Sequence, residues 1–484
     1  MTTGSPQSGK IRVLAVTTYE LGHQPLVLAR LASTLGSAGI QFAFCDNSVE
    51  RRSFSRREDF LLQDGEPPTD LIISVPMHTA TKLGREIAVR ARGIFGDSIR
   101  IIAVGLYSKV ALASSRSFDA AVFLDDPKSI IESLGATWHQ DSHLSSSSSA
   151  PDRSMLPGLG NYAYLIADGG KKLVGYVETT IGCAHMCKHC PVPVVFKGRF
   201  RAVSASEVLT QIDQLHSAGA RHITFGDPDF LNGPAHALRI VRSMHAAHPE
   251  LTFDATVKVE HILEYRGIWH ELRALGLSFV VSAFEHTSDD VLHHLAKGHT
   301  RADIVEALSI LREQDIDVRP SLIPFTPWTS KSDLLDLFEF IYDHDLVGSI
   351  DPVQLSIRLL VPLESLLLDD ISTEFGQWNP ELLSYQWTSS DPGLDDLHEA
   401  LTSIAEDAAA GIVNNINAIS LMREAAYRSF NLSPPLRPEP SKSCECRPKL
   451  SESWFCCAEP TKLLLDSLGG NNSLEGLTLR DTDS

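Results

Sequence analysis

Nothing in the 484 residues approaches the roughly 18 consecutive apolar positions that would span a bilayer. The opening MTTGSPQSGK lacks the charged flank and apolar centre of a secretory signal, so a cytosolic protein is expected. Basic residues are scarce: 42 Lys and Arg stand against 61 Asp and Glu, a net charge of −19. Such a chain repels phosphate backbones unless a basic patch is hidden in it, and none is visible, which argues against nucleic acid as a partner. Cysteine is sparse too, with eight in the chain. In a reducing compartment these are expected as ligands or reactive thiols rather than disulfides. What is plentiful is apolar text: 43% hydrophobic residues exclude a disordered or fibrous body and suffice for two to four domains.

Residues 11–135 alternate short β-branched runs with amphipathic segments. IRVLAV (11–16), IQFAFC (40–45), DLIISV (70–75), IRIIAV (99–104) and AAVFL (120–124) read as buried parallel strands. This order predicts a doubly wound, flavodoxin-like α/β sheet over residues 1–138. Cys45 sits in one of the strands and reads as a small buried hydrophobe. The stretch HQDSHLSSSSSAPDRS has no apolar period, so 139–168 is assigned as linker. A second series follows, with strands near 173–179, 222–226, 252–257, 278–282, 317–323 and 353–359. Six βα units predict a (β/α)6 partial TIM barrel over 169–365. Ser204 and Glu207 form an S-x-x-E capping box before one of its helices, and Gly219 supplies the stop. Helical text (366–440), a Cys-rich tail (441–465) and a segment expected to be disordered (466–484) complete the chain.

In such barrels chemistry gathers at the C-terminal ends of the strands. There the sequence reads IGCAHMCKHCPVP, a C-x3-C-x2-C triplet of Cys183, Cys187 and Cys190. Three thiolates on one loop can ligate three irons of a [4Fe–4S] cube and leave the fourth open. The competing metal reading is zinc, held by the three cysteines with His185 or His189. This loop on a six-unit barrel resembles the radical SAM superfamily over roughly residues 170–362. The resemblance implies that S-adenosylmethionine (SAM) chelates the open iron and is cleaved by an electron from the reduced cluster to give a carbon radical. It implies an external donor of flavodoxin or ferredoxin type. The position before the last cysteine, often aromatic in the family, is His189 here.

By the same resemblance, Gly226, Asp227 and Asp229 in ITFGDPDF receive the methionyl ammonium, and Glu285 in VSAFEHTSDD accepts hydrogen bonds from ribose hydroxyls. Local readings compete, namely a D-P turn and a helix-start carboxylate. Lys258 and Glu260 either face the mouth or form a surface ion pair, and Arg319 and Arg358 are weaker candidates for a substrate carboxylate. A flavodoxin-like domain before such a barrel resembles the superfamily's cobalamin-binding arrangement. The D-x-H-x-x-G signature is absent, however, and His23 lacks the spacing of a cobalt ligand, so cobalamin is possible and a scaffold role is favoured.

The tail CECRPKLSESWFCCAEP holds Cys444, Cys446, Cys456 and Cys457. It resembles the CUAEP/CCAEP-tail radical SAM proteins, some of which carry selenocysteine where Cys457 stands. A site that accepts a selenol is one where the chalcogen reacts, which makes Cys456 and Cys457 candidates for binding or attacking a small substrate. By analogy with cysteine-tailed enzymes of organoarsenical biosynthesis, that substrate could be thiophilic, such as trivalent arsenic. Arg447 and Lys449 are the basic residues available to favour a thiolate. A structural or auxiliary metal site in the tail is the alternative. For the whole chain, the rival functions are an iron–sulfur electron carrier and a zinc-stabilised interaction protein.

Overall fold

A computed structural model describes residues 11–123, 126–137, 150–167, 170–369, 375–389, 391, 393–437 and 447–452. Two compact units emerge, one built on residues 11–20 and 27–156 and one on residues 157–452 together with Leu21–Leu26. No described helix is long and apolar enough to cross a membrane.

In the first unit, β1 (Arg12–Thr17), β2 (Gln41–Asp46), β3 (Asp70–Ser74), β4 (Arg100–Val104) and β5 (Ala120–Val122) form a parallel sheet in the order β2-β1-β3-β4-β5. This is the doubly wound arrangement that the alternation of the sequence predicts. Helices cover both faces, so β3 is buried at every position and its side chains need no polar alternation. Gly84 in the helix His78–Phe95 lets that helix lie on the sheet, since a Cβ there would fall 2.7 Å from Ile73 Cγ2. Cys45 is fully buried and its thiol pKa is pushed well above the usual value by burial, as suits an inert core residue. The strand order reverses between β1 and β3, where a crevice for ligands opens at the C-terminal ends of such sheets.

The second unit is a curled half-barrel sheet. Parallel strands β7 (Gly170–Val177), β10 (His222–Phe225), β11 (Thr252–Thr256), β12 (Leu277–Glu285) and β13 (Asp317–Leu322) lie side by side. A short hairpin of β8 (Thr180–Gly182) and β9 (Phe200–Ala202) follows β7. The sixth parallel strand expected at 353–359 is not formed. Pro352 opens a 3-10 turn (Pro352–Ser356) after Asp351, and the side chain of Gln354 takes the place of a strand partner by accepting from Leu322 N at 3.0 Å. Only a bridge between Phe325 and Arg358 survives, with Leu359 N donating to Phe325 O at 2.8 Å.

At the other edge the sheet is longer than the sequence suggests. β6 (Tyr164–Ala167), from the stretch read as linker, pairs antiparallel with β7. The two-residue strand Lys449–Leu450 then pairs antiparallel with β6, and Leu450 packs against Leu165, Val174, Phe279 and Val281. Ser204 caps its helix by accepting from Glu207 N at 3.2 Å. Helix Asn415–Ser429 packs on helix Lys331–Asp343, tied by Arg423 Nε to Glu339 at 2.7 Å, and helix Gly393–Ala409 packs on Asn415–Ser429 and on the Pro352–Ser356 turn. Cys444, Cys446, Cys456 and Cys457 lie outside the described residues.

Candidate active site

The cysteine loop leaves β8 at the C-terminal end of β7, and its backbone amides help to hold it. Ala184 N donates to Asn232 Oδ1 at 3.0 Å, Lys188 N to Leu295 O at 3.0 Å, and Cys190 N to Cys187 O at 3.2 Å. Cys183 and Cys187 are buried, Cys190 is half-buried, and none of the three is in a disulfide. Without a metal, burial pushes the Cys183 thiol up to about 11.

Among the described residues, two groups of three His, Cys, Asp or Glu side chains bring donor atoms within 4.8 Å of one another, and the cysteine triplet is in neither. One zinc ion at about 2.3 Å from each sulfur would need sulfurs about 3.8 Å apart. A cube takes each thiolate on a different iron, so its ligands stand farther apart. Among the described residues the three sulfurs are therefore not gathered as a single ion would hold them, and neither His185 nor His189 forms such a group with the cysteines. His185 joins Asp229 and His261 instead.

The Asp227 carboxylate is already engaged. It accepts from Thr179 N (3.0 Å), Thr179 Oγ1 (2.7 Å), Thr180 N (2.5 Å) and Thr180 Oγ1 (2.6 Å), tying the end of β7 to the loop after β10. Burial outweighs these donors and pushes its pKa up to about 6. Gly226 is required sterically, because a Cβ would collide with Tyr176, whose hydroxyl lies 3.4 Å from Gly226 O. His23 stacks on Tyr176 with ring centroids 4.7 Å apart, and burial lowers its pKa to about 4, so it is a neutral packing residue.

Asp229 offers its Oδ2 to His185 Nε2 (3.2 Å) and His261 Nδ1 (2.8 Å), while Oδ1 caps Leu231 N at 3.1 Å. Burial would raise its pKa, but the hydrogen bonds from His185 and His261 outweigh it and the shift is downward. Lys258 contacts Glu260 and lies 3.3 Å from His185 Nδ1, so both face the cysteine loop.

Glu285 closes the group from β12. It is buried, adopts φ +63°, and sits at a register shift between β12 and β13. A left-handed backbone at a non-glycine residue is strain that its surroundings must hold in place. Oε1 is 3.0 Å from Lys297 Nζ and 3.3 Å from His189 Nε2. Burial would raise the carboxyl pKa, but the charge of Lys297 and the bond from His189 hold it near about 2. His261 and Lys297 were missed from the sequence, where His185 was weighed only as a zinc ligand. His261 follows β11 beside the Lys258 and Glu260 already singled out, whereas Lys297 comes after helix Asp289–His294 with no strand end to mark it.

The remaining candidates are spent elsewhere. Arg319 pairs with Asp351 at 3.1 Å, and Arg358 stacks over Trp387 while binding Asp395 at 2.5 Å. Arg447, expected beside the tail thiols, instead anchors the chain through Asp345 and through Ser349 Oγ at 2.8 Å.

The radical SAM superfamily model matches residues 177–341. The chain is 21% identical over 189 residues to the ribosomal protein uS12 methylthiotransferase RimO of Dictyoglomus thermophilum, covering 36% of this chain and 42% of that protein. It is 24% identical over 211 residues to the anaerobic magnesium-protoporphyrin IX monomethyl ester cyclase of Synechocystis sp., covering 42% and 39%. The chain thus spans about two fifths of the length of these curated relatives. Its fold resembles the cobalamin-dependent SAM radical enzyme OxsB with aqua-cobalamin and SAM bound (TM-score 0.60, 13% identity, 90% of this chain and 74% of that one). It also resembles the radical SAM methyltransferase TsrM from Kitasatospora setae (TM-score 0.53, 16% identity, 69% and 70%). A half-barrel with three cysteines on the loop after its first parallel strand, matched over residues 177–341 by the superfamily's own pattern, gives this chain a radical SAM domain.

Proposed function

We propose that Cys183, Cys187 and Cys190 hold a [4Fe–4S] cluster, and that the mouth around Asp229 and Glu285 positions SAM. The observation that carries this is a loop of three cysteines whose sulfurs are not gathered as one ion would hold them, faced by two buried, ionised carboxylates. A bound cluster supplies one electron to the sulfonium of SAM, which breaks a carbon–sulfur bond and yields a carbon radical. Asp229 is the carboxylate suited to the methionyl ammonium, since Asp227 is consumed by Thr179 and Thr180. Glu285 keeps Oε2 for ribose hydroxyls while Oε1 faces Lys297 and His189. The electron comes from an external flavodoxin or ferredoxin type donor.

Cys456 and Cys457 act on a small, thiophilic substrate in this reading. It is supported by the direction of the preceding strand: Lys449–Leu450 runs antiparallel to β6, hence along β7 toward the mouth. Leu450 stands opposite Leu165, which stands opposite Lys172, five residues below Val177. Arg447 fixes the start of this strand by donating to Ser349 Oγ at 2.8 Å.

A second reading of the first unit is favoured by the extent of the OxsB likeness, 90% of the chain. There the crevice at the β1/β3 switch takes cobalamin without a histidine ligand, His23 being stacked on Tyr176. Anaerobic purification with iron, sulfide and cobalamin counts, followed by reduction with SAM, tests both. Cluster content near four irons and release of a SAM fragment are expected, and zinc without sulfide overturns the reading.

A further inference from the structure

Lys297 is 2% exposed, on the stretch that follows helix Asp289–His294. That stretch is bonded to the cysteine loop through Lys188 N and Leu295 O, between Cys187 and Cys190 in sequence. Lys297 turns inward, and Gly298 follows it at φ +73°, where any Cβ would strike the Glu260 carboxylate. The ammonium donates to Glu285 Oε1 at 3.0 Å, and the same oxygen lies 3.3 Å from Nε2 of His189, the residue before Cys190. Burying an ammonium and a carboxylate costs several kcal/mol per ion, and an apolar pair of similar volume would anchor the loop as well or better. Solvent does little to screen charges at this depth. Burial works against the charge of Lys297, and Glu285 with Cys187 and Cys190 outweighs it.

Resting on the cluster reading above, we infer that Lys297 and Glu285 are a buried charge pair that sets the reduction potential of the cluster on Cys183, Cys187 and Cys190. Lys297 is then a positioning residue acting through its field and through Glu285. The sign follows from electrostatics. Reduction adds negative charge to the cluster, so a nearby cation makes it easier and a nearby anion harder. Lys297→Met leaves the Glu285 charge uncompensated and lowers the potential. Glu285→Gln leaves the Lys297 charge uncompensated and raises it. Lys297→Met/Glu285→Gln removes both charges and returns the potential toward wild type, the pattern of two coupled neighbours.

The experiment is an EPR-monitored redox titration of the full-length, anaerobically reconstituted enzyme without SAM, with iron and sulfide counted in each variant. Opposite shifts in the two single variants, a double variant between them and a Lys297→Arg protein close to wild type are expected. Equal potentials in fully loaded variants, or two shifts of the same sign, overturn the inference. If Lys297→Met fails to retain iron, Glu285→Gln and Lys297→Arg still decide the sign. A wild type that takes up no cluster overturns the functional reading itself, a result distinct from loaded variants with unchanged potentials.

Discussion

Replacing Asp227 separates a structural clamp from a cofactor ligand. Its carboxylate takes four hydrogen bonds from Thr179 and Thr180, three on Oδ1 and one on Oδ2. In Asp227→Ala the two threonine hydroxyls can rotate to other partners, but the two backbone amides cannot. An orphaned buried donor costs about 1–3 kcal/mol, so the Ala variant should lose about 2–6 kcal/mol. In Asp227→Asn the amide oxygen can keep the three donors on Oδ1, while the amide nitrogen faces Thr179 N, a loss of about 1–3 kcal/mol.

The pH dependence gives an independent check. The folded pKa is raised to about 6 from 3.8, so the neutral form is favoured in the fold. This contribution is fully present below pH 3.8 and is lost as pH rises through 6, a difference of about 3 kcal/mol. The stability difference between wild type and Asp227→Asn should therefore grow in favour of wild type on acidification from pH 7 to pH 4. Urea unfolding of the cluster-free protein, followed by circular dichroism, measures it, and taking the difference cancels other titrating groups. SAM affinity is measured in parallel by equilibrium dialysis. If the Asn variant unfolds at the wild-type midpoint and loses SAM binding alone, the carboxylate is a ligand and the clamp argument fails.

Cys187→Ala should abolish both the brown chromophore and SAM cleavage, and full cleavage in that protein would sink the cluster assignment. Cys457→Ala should leave the cluster and uncoupled SAM cleavage largely intact while stopping product formation. Cys457→Ser should be nearly as defective, because a hydroxyl is too hard and too weakly acidic to replace a soft nucleophile, and turnover near the wild-type rate by either variant removes the catalytic role. His23→Ala should cost about 1 kcal/mol from the lost ring pair and leave any cobalamin uptake unchanged, whereas stoichiometric uptake lost in this variant would make His23 a cobalt ligand. Buried His286 and His299, each lowered by burial to about 4, lend stability above pH 6.5 that is lost as pH falls through 4. Thermal unfolding of a His286→Asn protein should accordingly be less acid-sensitive than that of wild type.

The parallel strands were legible because burial on both faces leaves unbroken apolar runs, as β3 and β4 show. The sixth barrel strand was misread because VQLSIRLLV (353–361) alternates apolar and polar residues at first as a half-buried strand does, but Asp351-Pro352 starts a turn, and the amide of Leu322 finds Gln354 instead of a neighbouring backbone. β6 went unread because it is four residues long and lies in the stretch assigned as linker, and its partner Lys449–Leu450 is more than 280 residues away.

At the site, the cysteine triplet was legible because its spacing is itself the chemistry. The roles of the acids were less so, since sequence position cannot tell which carboxylate the fold consumes. Asp227 and Asp229 are two residues apart, yet one faces four threonine donors and the other two imidazoles. The same holds for the basic residues: Arg447 looked like a thiolate partner by proximity in sequence, and the fold spends it on Asp345 and Ser349. Lys297 is the converse case. In sequence it is one lysine after a helix with nothing to mark it, and only burial beside Glu285 makes its charge consequential. The residues that tune such a site are therefore those whose charge survives burial with a single partner, and they become visible when every donor at the mouth is assigned an acceptor.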